Sequence, residues 1–322
     1  MRKWLMAGVV CLAVLIVLAM RAPGAPGMQS HEMTFQGRRR TYLVYRPQQV
    51  PRDRPLPVVL VFHGGGGNAA QMARTSRMNT WADRLGLLVV YPEGVNKHWN
   101  DGRRSEKFRD QDRKIDDVAW IARLLTELEQ NERIDTRCIY AMGVSNGGMF
   151  TLRLAVELSD RFDAVAAIVA SLPEPLAERT PRKPLRVLIM NGTDDPLVPY
   201  GGGEVTIRSL LPQRWRGARL PSRGRVLSTK ETVAYWLRHN RIDSKGRVDI
   251  LADRDRRDGC RVERTKWSSS GGREVVLYKI MGGGHGMPGR RQYLPRDRIG
   301  NICQDIDAAE VICNFFLRKA ER

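Results

Sequence analysis

Two rhythms of apolar and polar positions alternate along this chain. Unbroken apolar runs at residues 57–62, 87–91 and 138–142, with further strands at 162–169 and 185–190 interrupted only by Asp163 and Arg186, predict strands of a buried parallel sheet covered by helices. Stretches with helical spacing fall between and after them. Residues 80–85 predict a helix closed by Gly86. Residues 116–130 predict a second, opened by Asp116 and Asp117, with Val118, Ile121, Leu124, Leu125 and Leu128 as its buried stripe. Residues 147–158 continue through Met149, Leu152, Ala155 and Val156, and residues 305–317 through Ile306, Ala309, Ile312 and Phe316. Residues 228–240 open with a Ser228-x-x-Glu231 capping box and bury Val233, Trp236 and Leu237. Two strand pairs complete the pattern. Residues 33–35 and 40–45 turn at Gln36-Gly37, with Thr41, Leu43 and Tyr45 on one face and Tyr42 and Val44 on the other. Residues 261–267 and 274–280 are joined by the loop 268–272. This alternation predicts an α/β fold, a mostly parallel central sheet flanked by helices. Residues 92–113 predict a polar surface loop at the carboxyl end of a strand, and residues 201–225 an irregular, arginine-rich insertion over the mouth of a site.

The ends of the chain change the picture in one respect. Met1-Arg2-Lys3 is basic, residues 5–20 are apolar without interruption, and small residues and Pro23 follow. Residues 1–25 therefore predict a secretory signal peptide or an uncleaved N-terminal anchor that tethers the protein to a membrane, and residues 26–322 one exported catalytic domain. Cys11 lacks the small residues that precede a lipoprotein cleavage site. The other four cysteines, Cys138, Cys260, Cys303 and Cys313, are in a compartment that permits disulfides, but their spacing fixes no pairing. Cys138 is expected in the core as a small hydrophobe. No C-x-x-C or Cys/His cluster appears, so no metal is expected. The net charge of +19 comes from scattered arginine and lysine. No basic run is interleaved with aromatic residues as in a nucleic-acid groove, so no nucleic-acid partner is expected.

The chemistry gathers at strand ends. Gly143-Val144-Ser145-Asn146-Gly147 is G-x-S-x-G between a predicted strand and a predicted helix, the nucleophile elbow of the α/β-hydrolase fold. A serine at such a tip is pushed towards positive φ, so the positions two away must be small for strand and helix to approach. The strand at 57–62 runs into His63-Gly64-Gly65-Gly66-Gly67, a pattern that supplies a second backbone N–H to an oxyanion hole. The lysine and hydroxyl residue of a phosphate-binding P-loop are missing. Past the strand at 185–190 come Asp194 and Asp195, either of which suits the acid of a triad or an Asx turn. His285, set among glycines after the last strand, is the best base of the five histidines: His31 precedes the fold, His63 belongs to the glycine turn, His98 to a polar loop and His239 to a helix end.

Taken together, VVLVFHGGGGNA, VVYPEG with HWNDGR, DDVAWIARLL, IYAMGVSNGGM, NGTDDPLVPYGGG, LSTKETVAYW and VVLYKIMGGGHGMPG resemble, in order, the secreted feruloyl esterases and poly(3-hydroxybutyrate) depolymerases near carbohydrate esterase family 1. The resemblance implies an α/β-hydrolase fold and a serine esterase with no cofactor. It places the nucleophile on Ser145, the acid on Asp195, the base on His285, the oxyanion donors on Asn146 and on Gly65 or Gly66, and an aromatic pocket residue on Trp99. Asn191 stands where the family often has histidine, and Gly286-Met287 where it has a different approach to Pro288. The implied partner is an ester, either aromatic or of a hydroxyalkanoate oligomer. The same constellation serves serine peptidases, thioesterases and acyltransferases, and a non-catalytic surface-binding protein is the alternative of another class.

Overall fold

The fold, a computed structural model, describes residues 27–318, and the leader expected at residues 1–25 lies outside them. β-Branched and apolar residues at every position of β3 (Leu56–Phe62) suit a strand with no solvent-facing side, and Val58 to Phe62 are fully buried. β4 (Leu88–Pro92), β6 (Ala164–Ile168) and the second half of β5 (Ile134–Val144) are likewise apolar and buried, and β7 (Arg186–Gly192) is buried throughout with Arg186 and Asn191 at its ends. With β1 (Met28–Phe35), β2 (Arg38–Tyr45), β10 (Arg247–Ile250), β11 (Arg261–Ser268) and β12 (Glu274–Met281) they build a ten-stranded sheet in the order β1-β2-β4-β3-β5-β6-β7-β12-β11-β10. The block from β4 to β12 is parallel, and the flanking pairs are antiparallel. The chain moves from β3 to β4 on one side and then back past β3 to β5, so the direction of winding switches between β3 and β5. Open α/β sheets bind ligands at the carboxyl end of such a switch.

Helices cover both faces. α1 (Ala69–Thr75), α2 (Met78–Leu85) and α8 (Ala308–Phe316) pack with Val59, Val61 and Tyr140 on one side. α4 (Asp117–Asn131), α5 (Asn146–Glu157) and α6 (Thr229–Asn240) pack with Leu60, Phe62 and Ala141 on the other. The short α3 (Arg109–Lys114) and α7 (Arg296–Ile299) sit in loops. No helix among the described residues is long and apolar enough to cross a membrane.

The expected strands and long helices are present to within a few residues, and the capping box of α6 is made in both directions. The departures have local causes. β10 is an edge strand whose Val248 and Ile250 face solvent, so its apolar residues signal no core. His31, expected ahead of the fold, lies in β1 with its ring stacked on Tyr42. Cys138 is only half-buried. The last helix starts late because Asp307 caps it, accepting from the N–H groups of Ala309 and Glu310. Residues 92–113 are only in part the expected surface loop: Asn96, Lys97, Arg104, Glu106, Lys107, Arg109 and Arg113 are exposed, whereas His98, Trp99, Asp101, Arg103 and Ser105 are buried.

Candidate active site

β5 ends and α5 begins across Ser145, whose backbone stands at φ 56° and ψ −121°. An L-residue rarely adopts these angles, and the surrounding glycines explain how they are imposed. A Cβ on Gly143 would lie 2.2 Å from the carbonyl oxygen of Gly147, and one on Gly147 would lie 2.4 Å from that of Phe62 in β3. Strand, turn and helix are therefore closer than any side chain permits. The Ser145 N–H donates to Ile168 O at 2.9 Å and so pins the tip to β6.

His285 arrives from the turn after β12. Its Nε2 lies 2.9 Å from Ser145 Oγ, and its Nδ1 lies 2.7 Å from Asp195 Oδ2. The other carboxylate oxygen, Oδ1, accepts from the N–H groups of Leu197 and Val198 at 2.8 and 2.9 Å. The carboxylate is thus held open towards the imidazole, in the turn that Pro196 begins. Asp194, the alternative acid, faces solvent and accepts from Thr193 Oγ1 instead. Serine, imidazole and carboxylate so joined can pass a proton from Oγ to Nε2 while Asp195 stabilises the resulting imidazolium.

Two backbone N–H groups beside Ser145 are free to face a ligand. Asn146 is the first residue of α5, where the N–H has no intrahelical acceptor. Gly65 makes no hydrogen bond through its N–H among the described residues, and its Cα faces the Asn146 side chain, which a Cβ there would meet at 3.5 Å. Gly66 departs from expectation. Its N–H donates to Lys97 O at 2.8 Å, so it is spent inside the protein and cannot also hold an oxyanion.

Trp99 is a second correction. Its side chain is fully buried rather than lining a pocket, stacked on Phe150 and Trp120 and edge-on to Phe62, with Nε1 donating to His63 O at 3.0 Å. Its influence on the site runs through its backbone. Asn146 Oδ1 accepts from Trp99 N, and Asn146 Nδ2 donates to Trp99 O and to Asp101 Oδ2. Asp101 also accepts from Arg103 Nε at 2.8 Å. The residue after Ser145 is therefore clamped to an ordered loop, which fixes where its own N–H points.

Sequence reasoning missed several such supports. Asn191, at the end of β7, bonds the backbone of Ala170 in both directions and the hydroxyls of Ser171 and Thr229. Arg40 and Asp117 form a buried pair at 2.7 Å, with Arg40 over the Trp120 ring and Asp117 also accepting from Asn100 N. Burial pushes the Asp117 carboxyl up, against the pull of Arg40. His63 accepts from Gly94 N at Nε2 and lies 2.8 Å from Gly64 O at Nδ1, the pattern of a neutral ring protonated at Nδ1, and burial lowers its pKa. Tyr293 donates to the carbonyl of His285 at 2.9 Å. The Arg40–Asp117, Asn191–Thr229 and His63–Gly94 contacts join residues far apart in sequence, which no local pattern shows.

The arginine-rich segment between β8 (Gly203–Glu204) and β9 (Arg225–Val226) is braced by its own guanidinium groups. Arg208 donates to the carbonyls of Arg216 and Ala218, and Arg216 pairs with Asp297 of α7. Arg298 bonds Ser209 O and Leu211 O, which docks the segment beside the strand of chain that carries Tyr293. A recess of about 390 Å³ lined by Arg104, Arg109, Arg113, Arg153 and Arg179 lies apart from Ser145 and His285.

Sheet order, switch point and elbow define an α/β-hydrolase. The structure resembles the solved acetyl xylan esterase from Aspergillus awamori with a TM-score of 0.52 and 13% identity, over 78% of this chain and 92% of that one. The model of a family described as esterase PHB depolymerase matches residues 40–172. The putative esterase NocK of Nocardia uniformis subsp. tsuyamanensis is 32% identical over 297 residues, which span 89% of this chain and 82% of the relative. Feruloyl esterase B of Piromyces equi is 24% identical over 253 residues, 76% of this chain but only 42% of the relative. The chain belongs to the same esterase family as NocK, carries a domain of the esterase PHB depolymerase kind at residues 40–172, and is a carboxylic ester hydrolase.

Proposed function

We propose that this protein is an exported serine esterase in which Ser145 is the nucleophile, His285 the general base and Asp195 the acid that orients it. The observation that carries the reading is the continuous path from Ser145 Oγ through the imidazole to Asp195, with links of 2.9 and 2.7 Å. His285 takes the hydroxyl proton as Oγ attacks the ester carbonyl, and the N–H groups of Gly65 and Asn146 receive the oxyanion. The protonated imidazole then gives its proton to the departing alkoxide. Water, activated by His285, resolves the acyl-enzyme and returns Ser145.

Residues 26–322 act as one catalytic domain, and the segment 201–225 forms part of its rim. Export follows from the basic and apolar leader at residues 1–25. The substrate is a carboxylic ester of the kind the relatives' names describe, a feruloyl ester or a hydroxybutyrate oligomer.

The test is hydrolysis by the purified protein of methyl ferulate, a short-chain nitrophenyl ester and soluble 3-hydroxybutyrate oligomers, with Ser145→Ala as control. Ser145→Ala should lower kcat by at least about 10³-fold on every substrate that is cleaved. Unchanged activity in that variant would remove Ser145 from the mechanism. Preference for ferulate would assign an aromatic acyl group, and preference for the oligomers a hydroxyalkanoate. Amides cleaved at rates near those of matching esters would point to a peptidase instead.

A further inference from the structure

Behind the turn that presents His285, three segments are stacked. Residues 282–289 hydrogen-bond to the strap at 299–303: Gly284 N to Asn301 O at 2.7 Å, His285 N to Ile299 O at 2.5 Å and Gly289 N to Cys303 O at 2.7 Å. On the other side, a Cβ on Gly282 would lie 2.3 Å from the carbonyl oxygen of Gly259, so the turn is also seated against the chain entering β11. Cys260 lies in that entering chain and Cys303 in the strap. They are 1% and 2% exposed. Their sulfurs and a carboxylate oxygen of Asp258 all lie within 4.8 Å of one another.

Asp258 explains why the two cysteines meet. Its Oδ1 accepts from Cys260 N at 2.7 Å and its Oδ2 from Gln304 N at 2.6 Å, so one carboxylate clamps both cysteine-bearing segments through their backbones. The same bonds argue against a metal centre. Each carboxylate oxygen already accepts a backbone N–H, the group offers three ligands, and a cation of the zinc type takes four. The neighbouring Cys303 thiol, burial and the Asp258 carboxylate also push the Cys260 thiol up, which disfavours the thiolate a metal needs. Cys138 is half-buried on β5, and Cys313 packs on Met78.

We propose that Cys260 and Cys303 form a disulfide that fastens the start of β11 to the strap behind the His285 turn. Neither sulfur is bonded in the structure, and the bond, about 2.05 Å long, needs the two side chains to swing together. Because both thiols are shielded in the folded protein, the bond forms during folding. A thiolate of one cysteine attacks a small-molecule disulfide such as oxidised glutathione, releasing one reduced glutathione and leaving a mixed disulfide. The second cysteine displaces the other glutathione. Two thiol protons and two electrons leave the protein, and the oxidant is reduced to two thiols. An oxidising compartment supplies such an oxidant and keeps the bond, so its presence in the cell rests on the export proposed above, whereas the test below supplies the oxidant itself.

The experiment refolds the full chain, reduced and unfolded in urea, in a mixture of oxidised and reduced glutathione. The product is denatured without reductant, alkylated and mapped by mass spectrometry. The expected result is three alkylated cysteines of the five, Cys11, Cys138 and Cys313, and one linked peptide joining Cys260 to Cys303. Adding a reductant should lower Tm on the order of 5 °C, the size expected for a closed loop of roughly 40 residues, and should leave the Tm of a Cys260→Ser/Cys303→Ser variant unchanged. Five alkylated cysteines, a link between any other pair, or stoichiometric zinc retained by the refolded protein would overturn the proposal. The mapping needs only the wild-type chain, so it stands even where the double variant does not fold.

Discussion

At the scale of one residue, Ser145 carries both the proposed chemistry and a backbone cost. Its φ of 56° and ψ of −121° are tolerated only because the turn is fixed by close contacts on both sides. Strain of this kind costs about 1–3 kcal/mol for a residue with a Cβ. Ser145→Gly relieves it, at an offset of about 0.5–1 kcal/mol for the extra freedom of an unfolded glycine. We expect Ser145→Gly to be more stable than Ser145→Ala by about 1 kcal/mol in urea denaturation, with both variants inactive. Equal stability of the two would mean that the turn is not strained. This residue was legible in the sequence because its demand is local: Gly143 and Gly147 stand two positions either side. Asp195 and His285 were legible only as members of an order along the chain; the residues alone left Asp194 open, the resemblance chose Asp195, and it is the Asp195 carboxylate that faces the imidazole. Gly66 and Trp99 were misread for the opposite reason. The acceptor that occupies the Gly66 N–H is Lys97 O, and the polar neighbours that take Trp99 inside are neutralised by each other and by Asn146, none of which is visible in a local pattern.

At the scale of elements, the end of β3 is held to the loop after β4 by one imidazole. His63 is 1% exposed and bridges Gly64 O and Gly94 N, and burial depresses its pKa. The sign follows from proton linkage. Between the depressed folded value and the ordinary value of about 6.5, the unfolded chain binds the proton and the folded protein does not. The stability due to this ring is therefore complete above about pH 6.5 and is lost as pH falls towards the folded value. Protonation at Nε2 also removes the acceptor for Gly94 N, which loosens the glycine turn that offers the Gly65 N–H. We expect Tm of the wild type to fall between pH 7 and pH 5 more steeply than Tm of His63→Gln. Parallel curves would assign the acid sensitivity to other groups. The elements themselves were readable where burial is two-sided, as in β3, β4 and α4. They were unreadable where polar residues are buried within a loop, as His98, Asp101, Arg103 and Ser105 are, or where an edge strand turns its apolar side chains outward, as β10 does.

At the scale of the whole molecule, both hydrophobic clusters rest on one sheet, and every long helix packs against it. Loss of the parallel block would expose both faces together. We expect a single cooperative transition in thermal or chemical unfolding, followed at the same midpoint by tryptophan fluorescence and by far-ultraviolet circular dichroism. Two separated transitions would mean that the antiparallel β10-β11 margin or the segment 201–225 unfolds by itself.

The proposed reacting groups stand at the ends of β3, β5, β7 and β12, while the arginine-braced segment is joined to the body through the narrow β8-β9 ribbon and its dock on α7. Such an arrangement resembles a tool with a fixed motor and an exchangeable head. A change in the length or charge of that segment leaves the strand ends that hold the proposed reacting groups in place, so the proposed rim and the proposed chemistry can be altered separately.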